Sequence, residues 1–161
     1  MQHHFYAYMA RMKLIRRWGL RHNTREENDQ EHSLQVTMIA HALAMYKNLR
    51  YGGQVDVETV LLYAVYHEAA EVITGDLASP IKYFNPGIRD AYKEIERMAS
   101  NKLMEYLPPD FQQEFERLLF PDEQSYEWRI VKAADRISAY VKCLEEYAFG
   151  NREFLTAQEN I

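Results

Sequence analysis

The chain has 161 residues and a mass of 19.1 kDa, the size of one domain able to bury roughly 70% of its unfolded surface. Its 47% apolar and 27% charged residues exclude a disordered chain, and six Gly with five Pro favour long regular elements over a many-stranded fold. A net charge of −5 argues against duplex nucleic-acid binding, and the single cysteine, Cys143, excludes a disulfide framework and a Cys-rich zinc site.

Phe5, Met9, Met12, Leu14 and Ile15 predict a first helix reaching about Trp18. Gly19 to Gln30 is a polar connection, with Asn28 or Asp29 available to cap a second helix. Leu34, Met38, Ile39, Ala42, Leu43 and Met45 then recur at helical spacing up to Gly52-Gly53. Asp56 can cap a third helix carrying Val57, Val60, Leu61, Ala64 and Val65. Thr74 to Asn85 reads as a loop, and Asn85-Pro86 starts a fourth helix that stops before Pro108-Pro109. Phe111, Phe115 and Leu118 mark a short fifth. A sixth runs from about Glu127 to Phe149, with Ile130, Ala134, Ile137, Val141 and Leu144 on one face, and a last begins near Glu153. No stretch alternates like a strand. The prediction is an all-α, single-domain helical bundle over residues 1–161, with no repeat or linker. No apolar run nears the ~20 residues of a bilayer span. Met1-Gln2-His3-His4-Phe5 starts no secretory signal, so a cytoplasmic protein without membrane partners is expected.

Chemistry concentrates at the end of the third helix, in Tyr66-His67-Glu68-Ala69-Ala70-Glu71-Val72. The helix period continues its apolar stripe into His67, Glu68 and Glu71, where an ionised carboxylate is costly unless paired or bound to a metal. A helix end turning out to solvent answers equally well for this segment alone. His32 at the start of the second helix, taken singly, suits a cap or a surface residue. Asp135 inside the sixth is a poor helix former, and Lys132 or Arg136 would pair with it. Together, two imidazoles and two carboxylates from three helices can converge to hold a divalent transition metal. Glu71, one turn beyond His67, then stands in reach as a general acid or base. Arg11, Lys13, Arg16, Arg17, Arg21 and Arg25 place six bases in fifteen residues, either a solvated basic face or a contact for a small phosphorylated ligand.

At these residues the sequence resembles the HD-domain phosphohydrolases, whose pattern is a His, a His-Asp pair and a distant Asp on successive helices. It is most similar to their bacterial 5′-deoxynucleotidases. The resemblance spans essentially the whole chain: Arg16-Arg17-Trp18, Glu31-His32-Ser33-Leu34-Gln35-Val36, the segment from Tyr66 to Phe84, Lys132-Ala133-Ala134-Asp135, and Tyr140 to Glu146. It implies removal of the 5′-phosphate from deoxyribonucleoside monophosphates with one divalent ion such as cobalt, manganese or zinc. By position it gives His32, His67, Glu68 and Asp135 as metal ligands and Glu71 as the acid/base residue. Arg17 falls on a phosphate contact, suited to gripping two oxygens. Trp18 falls against the sugar, crowding C2′ to disfavour ribonucleotides, and Asp76 falls near the 3′-hydroxyl. The family is generally homodimeric, and its members usually continue beyond this length, so a C-terminal extension is expected to be missing.

Two positions depart from the pattern. Glu68 stands where the signature has Asp, and its extra methylene moves the carboxylate by about 1.5 Å. A working site with altered metal preference, a weak-metal enzyme, and a nucleotide-binding or regulatory protein without turnover are the three outcomes. Ala78 replaces an expected Pro in the loop after Asp76. His3, His4, His22 and His41 have no ligand neighbours in sequence, with His41 expected near the core, and Cys143 reads as a buried structural thiol.

Overall fold

The computed structural model describes residues 4–82 and 84–161, so His3 and Tyr83 lie outside the described residues. A short α1 (Phe5–Met9) runs into a 3-10 turn, Ala10–Leu14. There follow α2 (Asp29–Tyr51), α3 (Val57–Tyr66), α4 (Glu71–Thr74), α5 (Ser79–Lys82), α6 (Pro86–Glu105), α7 (Pro109–Leu119), α8 (Tyr126–Ala148) and α9 (Leu155–Asn160). Among the described residues there is no strand, only an isolated antiparallel bridge between Arg16 and Asn28.

The predicted caps form. Asn28 Oδ1 accepts from the Gln30 and Glu31 amides at 3.1 and 3.0 Å, Asp56 from Thr59 at 3.3 Å, and Asn85 from Ile88 at 2.9 Å. Each satisfies amides that a helix start leaves without partners.

Helices α2, α3 and α8 form the main core through Val36, Ala40, Ala44, Val60, Ala64, Val131 and Ala134, all fully buried. A second core joins Phe5, Met12, Val72, Leu103, Leu107 and Leu119, and Tyr66 and Phe115 pack against both. The alanines let the three long helices approach closely, because separation at a helix contact follows side-chain size.

That packing corrects several expectations. Leu34, Met38 and Met45, which mark the period of α2, are 62%, 59% and 36% exposed, and Ile137 and Leu144 on α8 are exposed while Ile130 and Ala134 of the same predicted face are buried. Small residues fill the inner faces, which turns the larger apolar stripe of each helix outward. His41 is exposed rather than close to the core. The first helix stops at Leu14 and never reaches Trp18. Residues 15–17 pair instead with 27–29, through Arg17 N–H to Glu27 O at 2.9 Å and Asp29 N–H to Ile15 O at 3.1 Å. The third helix stops at Tyr66 and turns tightly, Ala69 N–H meeting Tyr66 O at 2.9 Å, before α4 restarts at Glu71. The loop after Thr74 contains the single-turn α5.

Candidate metal and phosphate site

Three elements meet where the two cores adjoin. The Asn28 cap starts α2 and its carbonyl accepts the His32 amide at 3.0 Å, fixing that side chain in the first turns of the helix. His67 and Glu68 follow the end of α3, and Asp135 comes from the middle of α8. The sequence-predicted ligands His32, His67, Glu68 and Asp135 each offer one atom, and these atoms all lie within 4.8 Å of one another.

The two imidazoles differ in how their ring nitrogens are partnered. His67 Nδ1–H bonds Ala64 O at 2.7 Å, which leaves Nε2 buried without a hydrogen bond, 3.3 Å from Glu68 Oε1. Ser138 Oγ donates to Gln35 Oε1 at 2.8 Å, so its oxygen accepts from His32 Nδ1 at 3.3 Å. Glu27 Oε1 lies on the same nitrogen at 3.4 Å. A proton on Nδ1 suits these two partners, while Nε2 meets Asp135 Oδ1 at 3.1 Å and lies 3.8 Å from Glu68 Oε1, a position where a metal would take the place of the Asp135 hydrogen bond. An orphaned buried nitrogen beside a second imidazole and two carboxylates fits a divalent transition metal.

The electrostatics agree. Burial acts to raise both ligand carboxyls, yet His67, Arg17 and His32 hold Glu68 well below the usual range. His32 and Lys132 do the same for Asp135. The Lys132 pair weighed for Asp135 does form, at 2.6 Å, alongside the His32 contact. The remaining acids are less comfortable. Glu71 opens α4, is 6% exposed, and leaves Oε2 without a partner. Burial, then the Glu68 and Asp29 carboxylates, push it up to about 12, so it holds a proton at neutral pH. A divalent cation at the neighbouring ligands works in the opposite direction.

Arg17 and Asp76 come to the same site, and Trp18 stands at its edge. Arg17 is 13% exposed, with Nη1 3.4 Å from Glu68 Oε1 and 3.9 Å from Asp29 Oδ1. Burial opposes its charge, but Glu68, Glu27, Asp135 and Asp76 together raise it above its ordinary value. Asp76 is half-buried after Gly75, whose φ of 73° turns the chain. Burial raises Asp76 while Arg17 draws it down. The Trp18 ring packs against Phe154 at 5.1 Å between centroids, tilted by 56°, and its indole N–H bonds Glu27 Oε2 at 2.9 Å.

Sequence reasoning missed Asp29 and Glu27. Asp29 was a candidate cap. It is instead a fully buried first-turn residue beside Glu71, with both oxygens free of hydrogen bonds, and burial followed by Glu68 pushes it up to about 7. Its spacing of three from His32 was the available signal, once Asn28 is taken as the cap. His4 and His22, like His41, are exposed and join no metal-ligating cluster among the described residues. Cys143 is buried, as expected of a structural thiol.

The family model of YfbR-like 5′-deoxynucleotidases matches residues 4–161. A 5′-deoxynucleotidase of Klebsiella pneumoniae is 52% identical over 160 residues, 98% of this chain and 79% of that one. An HD-domain phosphohydrolase from Listeria innocua superposes with a TM-score of 0.84 at 24% identity, over 97% of this chain and 74% of that one. The HD phosphohydrolase DatZ of cyanophage S-2L, solved with dA and one catalytic Zn2+ ion, gives 0.61 at 20% identity over 85% and 69%. The two structural likenesses bear on the fold.

Proposed function

The chain belongs to the YfbR-like 5′-deoxynucleotidase family, and from that premise we propose that it is a metal-dependent phosphomonoesterase hydrolysing deoxyribonucleoside 5′-monophosphates to deoxyribonucleosides and phosphate. The observation that carries the reading is the orphaned Nε2 of His67, gathered with His32, Glu68 and Asp135 within 4.8 Å, with the buried Glu71 close by in the chain.

His32, His67, Glu68 and Asp135 would hold one divalent ion, with cobalt, manganese and zinc as candidates; the zinc bound by the DatZ neighbour supports a transition metal. When bound, such an ion acidifies a water and neutralises phosphoryl charge. Arg17 grips the phosphate oxygens through its planar fork, a task for which its buried, permanent charge is suited. The proton kept on Glu71 passes to the 5′-oxygen as the P–O bond breaks, and the carboxylate so formed accepts a proton from the incoming water. The Trp18 ring packs against the sugar at C2′, and Asp76 accepts from the 3′-hydroxyl.

Glu68 does not abolish the ligand set, since its carboxylate reaches both imidazoles. The exposed apolar stripes of α2 and α8 support a homodimer in which each chain covers the other. No described helix is long and apolar enough to cross a membrane, and a charged nucleotide substrate supports a cytoplasmic setting.

The direct test strips the protein of metal and follows phosphate release from deoxy- and ribonucleoside monophosphates as Co2+, Mn2+ or Zn2+ is restored. Release that depends on the ion and favours the deoxy substrates is expected. Release unchanged in excess chelator, or no release with any ion, overturns the reading.

A further inference from the structure

We propose that Glu27 is a positioning residue that ties the metal ligand His32 to the Trp18 ring, so that one carboxylate sets both metal affinity and discrimination at the sugar. The inference rests on the metal-dependent reading above.

Glu27 lies outside the predicted ligand set, yet its two oxygens face two different parts of the site. Oε2 accepts from Trp18 Nε1 at 2.9 Å, and Oε1 lies 3.4 Å from His32 Nδ1. Its backbone oxygen accepts the Arg17 amide at 2.9 Å, so the residue is anchored through the chain as well. The side chain is only 12% exposed, which shields these contacts from water.

Trp18 needs such a hold. Among the described residues it is the one non-glycine at positive φ, 59°, a conformation that bulky L residues keep only when their surroundings enforce it. Its carbonyl accepts from Arg21 N–H at 2.9 Å and Asn23 Nδ2 at 3.3 Å, and Phe154 backs the ring. The bond to Glu27 is the contact that fixes the indole edge.

The chemistry requires an acid at this position. A carboxylate has two acceptors and no donor, so it serves the indole N–H and the His32 Nδ1–H together. A glutamine of the same shape presents one oxygen and one NH2. In one orientation the indole loses its acceptor. In the other the NH2 meets Nδ1 and favours the tautomer with the proton on Nε2, which removes the lone pair aimed at the metal.

The test titrates metal-free protein with Co2+ alone, following the visible absorption of bound cobalt, and separately measures the deoxy-to-ribo ratio of kcat/KM. In Glu27→Gln, Co2+ affinity is expected to fall by about 10–100-fold, and the deoxy-to-ribo ratio to narrow. Trp18→Phe, which lacks the indole N–H, is expected to narrow the ratio and leave Co2+ affinity at its original value. The ring 15N shifts of His32 in Zn2+-loaded wild-type protein give a second readout, independent of how the variants fold. They should report the proton on Nδ1. A wild-type Nε2–H tautomer, or Glu27→Gln binding Co2+ as tightly as wild type, overturns the inference alone. Wild-type protein that shows no bound-cobalt absorption overturns the metal-dependent reading with it.

Discussion

Single residues decide the site through where their protons and charges sit. At His67 the carbonyl of Ala64 takes the Nδ1 proton, and that one backbone bond exposes Nε2 as a donor. At position 68 the longer Glu side chain brings Oε1 within 3.3 Å of His67 and 3.4 Å of Arg17. The same carboxylate therefore touches both a proposed metal ligand and the guanidinium proposed to hold the phosphate. A residue far from the predicted ligands matters in another way. Glu146 is 1% exposed and accepts from Lys142 at 2.5 Å, Asn151 at 2.7 Å and the Thr24 amide at 2.9 Å, stapling the end of α8 to the connection that carries Trp18. Burial would raise its carboxyl, but these donors outweigh it and lower it from 4.5 to about 2. A folded value below the unfolded one means the stabilisation is full above pH 4.5 and is lost as pH falls towards 2. Its size is on the order of 3 kcal/mol. Urea unfolding of wild type and Glu146→Gln should therefore differ by about that much at pH 7 and converge near pH 2. A gap that is the same at both pH values would contradict the assignment.

Among the elements, those with local signals were legible and those set by tertiary pairing were not. Asn28, Asp56 and Asn85-Pro86 announce helix starts because a cap acts within three residues, and all three form. The end of the first helix was misread because the pairing of residues 15–17 with 27–29 is invisible to helical periodicity. That pairing also hid Glu27 and Asp29, which enter the site only once the two segments are side by side. His32, His67, Glu68, Glu71 and Asp135 were legible for a different reason: ionisable groups on otherwise apolar faces need partners. Their convergence, however, rests on the turn after Tyr66 rather than on the continuous helix that the spacing suggested.

At the scale of the whole molecule, small residues line much of the contact between the three long helices, while large ones such as Phe5, Leu103 and Leu107 fill the second core. Ala40, Ala44, Ala64 and Ala134 draw α2, α3 and α8 together, and this closeness brings His32, His67, Glu68 and Asp135 within 4.8 Å of one another. It also leaves Leu34, Met38 and Leu49 on α2, and Ile137, Tyr140 and Leu144 on α8, facing outward. Charging that face with Leu34→Glu and Leu144→Glu should convert a dimer to a monomer in sedimentation at unchanged helicity; a monomeric wild type would remove this use of the stripes. Anomalous scattering from crystals grown with Co2+ reads the proposed metal centre without reference to activity. One peak should lie about 2.0–2.2 Å from a nitrogen of His32 and of His67 and from an oxygen of Glu68 and of Asp135. A crystal loaded with cobalt whose anomalous peaks all lie elsewhere would contradict it.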